Sequence, residues 1–215
     1  MSDVDPCESV MEASDVEARL ASHRRWYEGN EADGVRLHLE DVDLPGWKFA
    51  GQMLAEATFD GSVMAGAMFC DATLVGASFV DCDLCEACFD GAQADLARLE
   101  SAILTRATFR RASLAEASFA HADLTHADLS AASCLGARFD GAVLRAARFA
   151  GAAIDGTRFC TADLRGATGF EQADVRTVFV GHPVAPRLLE GDAARAWLIT
   201  ASSACLLYTS DAADD

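Results

Sequence analysis

The chain has 215 residues, which is enough for one ordinary domain. Its 34 acidic residues against 17 basic ones give a formal net charge of −17, which argues against simple electrostatic attraction to nucleic acid or to an anionic membrane. No apolar stretch approaches the roughly 18 residues of a membrane span, and the N-terminus has no basic or apolar region of a signal peptide. We therefore expect a cytoplasmic protein with reduced thiols, no disulfides and no membrane contact.

The N-terminal segment, residues 1–36, contains one predicted helix. Ser14 and Glu17 have the spacing of a capping box, which marks a helix start. Apolar and aromatic side chains then recur at helical intervals at Val16, Leu20, His23 and Tyr27. The pattern predicts an amphipathic helix over residues 15–28 that packs on whatever follows it.

The middle of the chain has a five-residue period. Large apolar residues occupy every fifth position over residues 39–164, and among these 26 centres only Ala94 and Cys134 are smaller or less apolar. Cys134 is interpreted as a replacement for leucine in the core. Phenylalanine recurs every ten residues over 49–89, which implies an even number of sides. The phenylalanines predicted to form the structural core are Phe49, Phe59, Phe69, Phe79, Phe89, Phe109, Phe119, Phe139, Phe149 and Phe159.

A second series lies two residues before each centre. Over residues 57–162 it is alanine at 19 of 22 positions, and the exceptions are small: Ser62, Cys82 and Thr157. Neither a helix, in which five residues turn about 500°, nor a straight strand keeps both series on one side. A chain that turns a corner every five residues does. Eleven glycines lie two residues after a centre, where such corners need a positive φ.

The segments Ala-Asp-Leu-Thr-His (122–126), Ala-Asp-Leu-Ser-Ala (127–131) and Ala-Asp-Leu-Arg-Gly (162–166) resemble the consensus of the pentapeptide-repeat family. The resemblance covers residues 37–168. It implies an all-β solenoid, namely a right-handed quadrilateral β-helix of about six coils with 20 residues per coil, and it implies a binding protein that is not an enzyme. The lack of loop insertions is similar to the mycobacterial fluoroquinolone-resistance member. In this interpretation the N-terminal helix caps the first coil.

The C-terminal segment, residues 169–204, is expected to close the other end of the solenoid. The five-residue register slips by one near Gly169, Pro183 and Pro186 follow, and a short helix is predicted at about 188–199. Residues 205–215 resemble read-through of a sequencing adapter, so this segment is expected to be truncated.

Two groups of residues have the spacing of chemical sites. Cys82, Cys85 and Cys88 are spaced like zinc ligands, but the five-residue register points them in different directions and supplies no fourth ligand. His121 and His126 fall two residues after a centre, so they are predicted to be solvated corner residues. We therefore expect no catalytic residues, no metal and no cofactor.

The acids are distributed unevenly along the chain. Residues 40–100 contain twelve acids and two bases, whereas residues 101–168 contain six acids and eight arginines. The predicted function is a rigid scaffold for a protein partner. The alternative, drawn from the resemblance, is a DNA mimic that binds gyrase or another topoisomerase and forms a homodimer through its C-terminal end. The predicted partner surface is Asp43, Asp60, Asp71, Asp81, Asp83, Glu86, Asp90, Asp95 and Glu100.

Overall fold

A computed structural model describes residues 11–29 and 34–203. It begins with helix α1 (Ala13–Tyr27), continues through the repeats, and ends with three short strands and a second helix. These last elements are β1 (Thr157–Arg158), β2 (Thr177–His182), β3 (Ala185–Glu190) and α2 (Gly191–Ser203). The adapter-like residues 205–215 lie outside the described residues.

Backbone segments 20 residues apart lie side by side through the repeats. Parallel bridges join Thr58 to Ser78 and Ser78 to Arg98, and equivalent bridges recur at every fifth residue, which makes four per 20-residue coil. The amide of Phe79 donates to the carbonyl of Arg98 at 2.8 Å, as in a parallel sheet. The prediction of a repeat β-helix is confirmed, and each coil has four sides.

Aromatic rings form two columns inside the solenoid. The rings of Phe49 and Phe69 stack with centroids 4.8 Å apart, which is the spacing of neighbouring coils. Phe69 and Phe79, on opposite columns, meet edge to face at 5.2 Å. All ten phenylalanines predicted as structural core are at most 1% exposed.

The alanine series also lies inside, and its exceptions have a structural explanation. Each of the three donates a hydrogen bond to the carbonyl of the centre 23 residues earlier. Ser62 donates to Leu39 at 2.7 Å, Cys82 to Phe59 at 3.0 Å, and Thr157 to Cys134 at 2.9 Å. A buried hydroxyl or thiol is therefore tolerated in this slot because an acceptor of the preceding coil lies within reach.

The corners have a positive φ whether or not they are glycine. Fifteen non-glycine residues two after a centre have φ between 53° and 62°, so the prediction that glycine supplies this conformation covered less than half of the corners. A left-handed residue costs about 1–2 kcal/mol. Each corner amide bonds to the next coil, as Asp81 does to the carbonyl of Glu100 at 3.0 Å, and this bonding holds the strained conformation.

Helix α1 packs against the first coil. Val16 and His23 are buried, Leu20 is half-buried, and Arg19 donates to the carbonyl of His38 at 3.0 Å. The predicted capping box is wrong, because Glu12 is the N-cap residue and makes no side-chain capping bond. Ser14 lies inside the first turn instead.

His23 provides a pH-dependent contact between α1 and the first coil. Its Nδ1 accepts the amide of Leu37 at 3.0 Å, and its buried Nε2 has no partner in the described chain. Burial, reinforced by Arg36, lowers the pKa of His23 below its usual value near 6.5. The unfolded segment therefore binds a proton in mild acid that the docked imidazole does not.

We predict that α1 loosens as the pH falls from 7 to 5, because stability is lost wherever the undocked state binds more protons. Hydrogen exchange of the α1 amides, corrected for the intrinsic pH dependence, should show less protection at pH 5. A His23→Gln variant should lose most of this pH dependence, whereas His121→Gln should retain it. Equal protection at both pH values in the unmodified protein would contradict the prediction.

The C-terminal segment adds a hairpin that the sequence analysis missed. Bridges shift from 20-residue spacing at Arg148–Thr168 to 21-residue spacing at Ala153–Asp174, in agreement with the predicted register slip. Gly169 makes the slip possible: its φ is +92°, and a side chain there would collide with the backbone of Ala150. Strand β2 then pairs parallel to β1 and antiparallel to β3.

The predicted helix at 188–199 is partly wrong. Leu188 and Leu189 pair with Phe179 and Val178 in the hairpin, so α2 begins only at Gly191 and continues to Ser203. The alternating Thr-Val-Phe-Val run at 177–180 was the sequence signal for a strand. Neither α1 nor α2 is long and apolar enough to span a membrane.

The expectation of no disulfides is also wrong, because Cys70 and Cys88 are joined, with their Cα atoms 5.7 Å apart. Cys70 follows a centre, and Cys88 precedes the centre of the next coil on the same side. Side chains one before and one after a centre both point outward and are diagonal neighbours across adjacent coils. The sequence analysis compared only residues 20 apart, and this pairing has a spacing of 18.

Candidate protein-binding surface

One edge of the solenoid collects the acidic side chains of every coil. It is formed by seven segments at 20-residue intervals, which we call the acidic edge: 40–43, 60–63, 80–83, 100–103, 120–123, 140–143 and 160–163. Bridges from Asp43 to Val63, and onward to Asp83, join these segments into one continuous row. Each 20-residue interval turns the chain through four sides, so a single edge receives all seven segments.

The charge on this edge differs from the charge on the rest of the surface. Within residues 40–168, ten of the 18 acids and none of the ten lysines and arginines belong to the acidic edge. The other three edges together carry eight acids and all ten of these bases. The asymmetry between the two halves of the sequence is therefore also an asymmetry around the solenoid axis.

Aspartates directly after a centre are bound by the next coil. Asp60 accepts the hydroxyl of Ser78 and the amide of Val80, at 2.5 and 2.9 Å. Asp95 accepts Ser113 and the amide of Ala115 in the same way, at 2.6 and 2.8 Å. These carboxylates link coils through neutral donors, and they keep their charge.

Aspartates directly before a centre act within their own coil. Asp83 accepts the amide of Cys85 at 3.0 Å, and Asp123 accepts the amide of Thr125 at 2.9 Å. This contact between a side chain and the amide two residues later is an Asx turn, and it shapes the corner that follows. A structural role therefore coexists with a solvent-facing charge.

Arginines neutralise the acidic edge in its second half. Asp140 lies between Arg138 and Arg158, with Oδ2 3.5 and 3.0 Å from their guanidinium nitrogens. Asp163 lies between Arg145 and Arg165 and bonds to both. The hydrogen bond from Arg165, together with that from Arg145, holds the pKa of Asp163 well below its ordinary value.

The first half of the edge has no such compensation. In segments 40–43, 60–63 and 80–83, which we call the front acidic edge, no acid lies within 4.0 Å of an arginine or lysine of the described chain. Glu40 lies 3.9 Å from His38, and the remaining acids are Asp41, Asp43, Asp60, Asp81 and Asp83. Val63, 44% exposed, lies between Asp43 and Asp83 in the row. The front acidic edge thus combines six carboxylates with an exposed apolar side chain.

The structure separates the nine acids predicted as a partner surface. Five lie on the acidic edge: Asp43, Asp60, Asp81, Asp83 and Glu100. The other four, Asp71, Glu86, Asp90 and Asp95, lie on different edges. Glu86 pairs with Arg106 at 3.2 Å and Asp90 with Arg110 at 2.9 Å, so part of this second group is neutralised. Glu40 and Asp41 were missed, although writing the sequence in rows of 20 would have revealed them.

The residues spaced like metal or catalytic groups do not form a site. Cys82 is buried, and this burial raises the pKa of its thiol to about 12. Cys85 accepts the hydroxyl of Thr105 at 3.1 Å, and Cys88 is in the disulfide. His121 and His126 are exposed corner residues with φ of 62°. Over residues 11–29 and 34–203, no three metal-binding side chains cluster.

One cavity of about 290 Å³ lies where α2 meets the last repeats. Its lining is mainly backbone and small residues from 166–171 with Ser202 and Ser203. Glu171 is the only ionisable side chain of that lining, so the cavity does not pair a general acid with a base.

A four-sided coil closed by a corner every five residues places the chain in the class of β-helical solenoid proteins. A family model described as pentapeptide repeats matches eight copies, over residues 53–91, 64–100, 95–130 and 127–166. The chain belongs to the pentapeptide-repeat family. No curated protein matches the sequence.

Three solved structures are similar to the chain. A trypsin-treated form of QnrB1, a plasmid-mediated fluoroquinolone resistance protein, is 26% identical over 62% of this chain and 73% of its own, with a TM-score of 0.44. A pentapeptide-repeat protein from the thylakoid lumen of Arabidopsis thaliana is 34% identical over 41% and 65%, with a TM-score of 0.36. HetL from Nostoc sp. strain PCC 7120, involved in heterocyst differentiation regulation, is 22% identical over 77% and 78%, with a TM-score of 0.35.

Proposed function

We propose that this protein is a cytoplasmic, non-enzymatic scaffold that binds a basic protein segment along the front acidic edge. The observation that carries the proposal is the set of six carboxylates in three neighbouring coils, none paired with an arginine or lysine of the described chain. Coils about 4.8 Å apart place these carboxylates within roughly 10 Å along the axis. An array of this density attracts a cationic partner and repels nucleic acid.

The solenoid supports binding because its surface is pre-organised. Coil-to-coil bonds such as Leu44 to Val63 at 2.8 Å and Met64 to Asp83 at 2.7 Å hold the edge in one conformation. A partner therefore loses little free energy to ordering this surface. We propose a right-handed solenoid of about six coils over residues 37–168, with α1 covering the first coil and residues 169–204 covering the other end.

The row along the edge specifies the kind of partner. Asp43, Val63 and Asp83 occupy successive coils, so two carboxylates about 10 Å apart flank one exposed apolar side chain. A complementary segment carries lysine or arginine on both sides of an apolar residue. Its apolar side chain covers Val63, and its cations meet the aspartates.

We predict that a fluorescent peptide with this pattern binds the full chain, and that binding weakens about tenfold or more in Asp41→Asn/Asp43→Asn/Asp81→Asn. Each lost carboxylate contact at a partly exposed site contributes a fraction of a kilocalorie to about 1 kcal/mol. The matched control is Asp71→Asn/Glu86→Gln/Glu116→Gln, which changes the net charge equally on other edges. Fluorescence anisotropy at low and physiological salt measures both variants.

The control decides what drives binding. Loss in the edge variant with near-normal binding in the control supports the front acidic edge as the partner surface. Equal loss in both variants would show that only the total charge matters and would overturn the assignment. A peptide of the same charge without its apolar residue should bind less tightly, because Val63 then stays exposed.

A second candidate function is inhibition of gyrase by DNA mimicry, which the charge density of the first half favours. Duplex DNA carries one charge per about 1.7 Å, so a half-rod of about 15 Å needs about nine negative charges. Residues 40–100 carry a net charge of −10. A mimic of the duplex presents charge on more than one edge, whereas the scaffold uses only one.

A gyrase supercoiling assay separates the two functions. Mimicry predicts inhibition that is relieved by Asp81→Asn/Asp83→Asn on the acidic edge and also by Asp71→Asn/Asp90→Asn on another edge. No inhibition at micromolar protein removes this candidate and leaves the scaffold in place.

A further inference from the structure

The disulfide between Cys70 and Cys88 lies on a side of the solenoid away from the acidic edge. Cys70 follows the centre Phe69, and Cys88 precedes the centre Phe89 of the next coil. Both cysteines are partly exposed. Their Cα separation of 5.7 Å is in the usual range for disulfides.

The backbone holds the two cysteines together without help from the disulfide. Cys88 donates its amide to Ala67 at 2.9 Å and accepts the amide of Phe69 at 2.7 Å, on either side of Met68, its bridge partner. The carbonyl of Cys70 accepts the amide of Gly51 at 2.9 Å. These bonds belong to the coil ladder, so the sulfurs stay neighbours when the disulfide is reduced.

The other described cysteines are poorly suited to exchange. Cys82, Cys134 and Cys160 are fully buried, and burial raises the pKa of their thiols to about 12, about 12 and about 11. Cys85 is partly exposed, but it is a free thiol and provides an internal control. Among the described cysteines, Cys70 and Cys88 are the one pair that is both accessible and adjacent.

We propose that Cys70 and Cys88 form a reversible redox site that exchanges with small disulfides such as oxidised glutathione. One thiolate attacks the small disulfide, forms a mixed disulfide and releases one thiol. The second cysteine then displaces the other thiol, so the pair loses two electrons and two protons to the two released thiols. A reducing compartment keeps the site open, and oxidation links two neighbouring coils covalently.

The test uses the full chain with Cys7→Ser and Cys205→Ser, so that thiols outside the described residues do not contribute. The protein is equilibrated in buffers of reduced and oxidised glutathione, and mass spectrometry after alkylation locates the disulfide. The proposal predicts a Cys70–Cys88 disulfide whose fraction changes between the most reducing and most oxidising buffers and is the same from either direction. Cys70→Ser should abolish it, and Cys85→Ser should leave it unchanged.

A second readout separates a redox site from a fold that needs its disulfide. Circular dichroism should be the same in both states, because the ladder does not depend on the link. The oxidised protein should melt roughly 5–10 °C higher, since the link closes a loop of 18 residues. Free thiols in every buffer, a disulfide that excess dithiothreitol cannot reduce, unfolding on reduction, or pairing with Cys85 would each overturn the proposal.

Discussion

Replacing Phe109 with alanine is expected to lower the free energy of unfolding by about 3–5 kcal/mol, the usual cost of deleting a buried aromatic side chain. Phe109 is fully buried, stacks on Phe89 at 4.8 Å and meets Phe119 edge to face at 5.6 Å. The neighbouring coils are fixed by their ladder and cannot collapse into the cavity. Chemical denaturation followed by circular dichroism measures the loss.

The matched control for this site is Phe109→Leu. Leu129 occupies the same column one coil later, so the interior accepts leucine there, and we expect a cost of about 1 kcal/mol. Thr108→Ala, on the outward face, should change stability by less. A Phe109→Ala variant that unfolds like the unmodified protein would contradict the inward assignment of the aromatic columns.

Enlarging the alanine series is expected to destabilise the protein although it adds apolar surface. Ala107 is fully buried, and alanines occupy the same slot one coil before and one coil after it, at Ala87 and Ala127. Coils about 4.8 Å apart leave no room for the added carbons, so Ala107→Leu should cost about 1–3 kcal/mol. The measurement is a thermal melt combined with chemical denaturation.

Ala107→Ser provides a sharp control for overpacking. By analogy with Ser62, Cys82 and Thr157, the new hydroxyl should reach the carbonyl 23 residues earlier, which is that of Leu84. We expect a near-neutral change for serine and a clear loss for leucine. If leucine is tolerated as well as serine, the series does not line a tight wall.

The interior of the repeats could be predicted from one residue in five. Large centres such as Phe59 and small residues such as Ala57 alternate in phase, and only a chain that turns at every fifth residue buries both. The local rules were less reliable at the ends. Ser14 had the spacing of a cap but lies inside α1, and Leu188 had a helical neighbourhood but pairs in β3. Tertiary pairing outweighed local propensity at both positions.

The partner surface shows why counting charges along the chain was insufficient. Asp83 and Asp90 are seven residues apart in the same acidic half, yet Asp83 belongs to the acidic edge and Asp90 pairs with Arg110 on another side. Asp140 lies in the faintly basic half but belongs to the acidic edge. A corner every five residues distributes neighbours in sequence among different edges, so the charge pattern around the axis depends on the coil length.

The five-residue phase by itself determined that this protein is a solenoid with a dry, narrow interior, because side-chain volume at each position decides what can be buried. Only the tertiary structure decided which surface residues meet. The stacking of coils brings residues 18, 20 and 23 positions apart into contact, and it thereby creates the disulfide, the acidic edge and the buried hydrogen bonds of the alanine series. These contacts depend on how many corners close one coil, a quantity that no single repeat encodes.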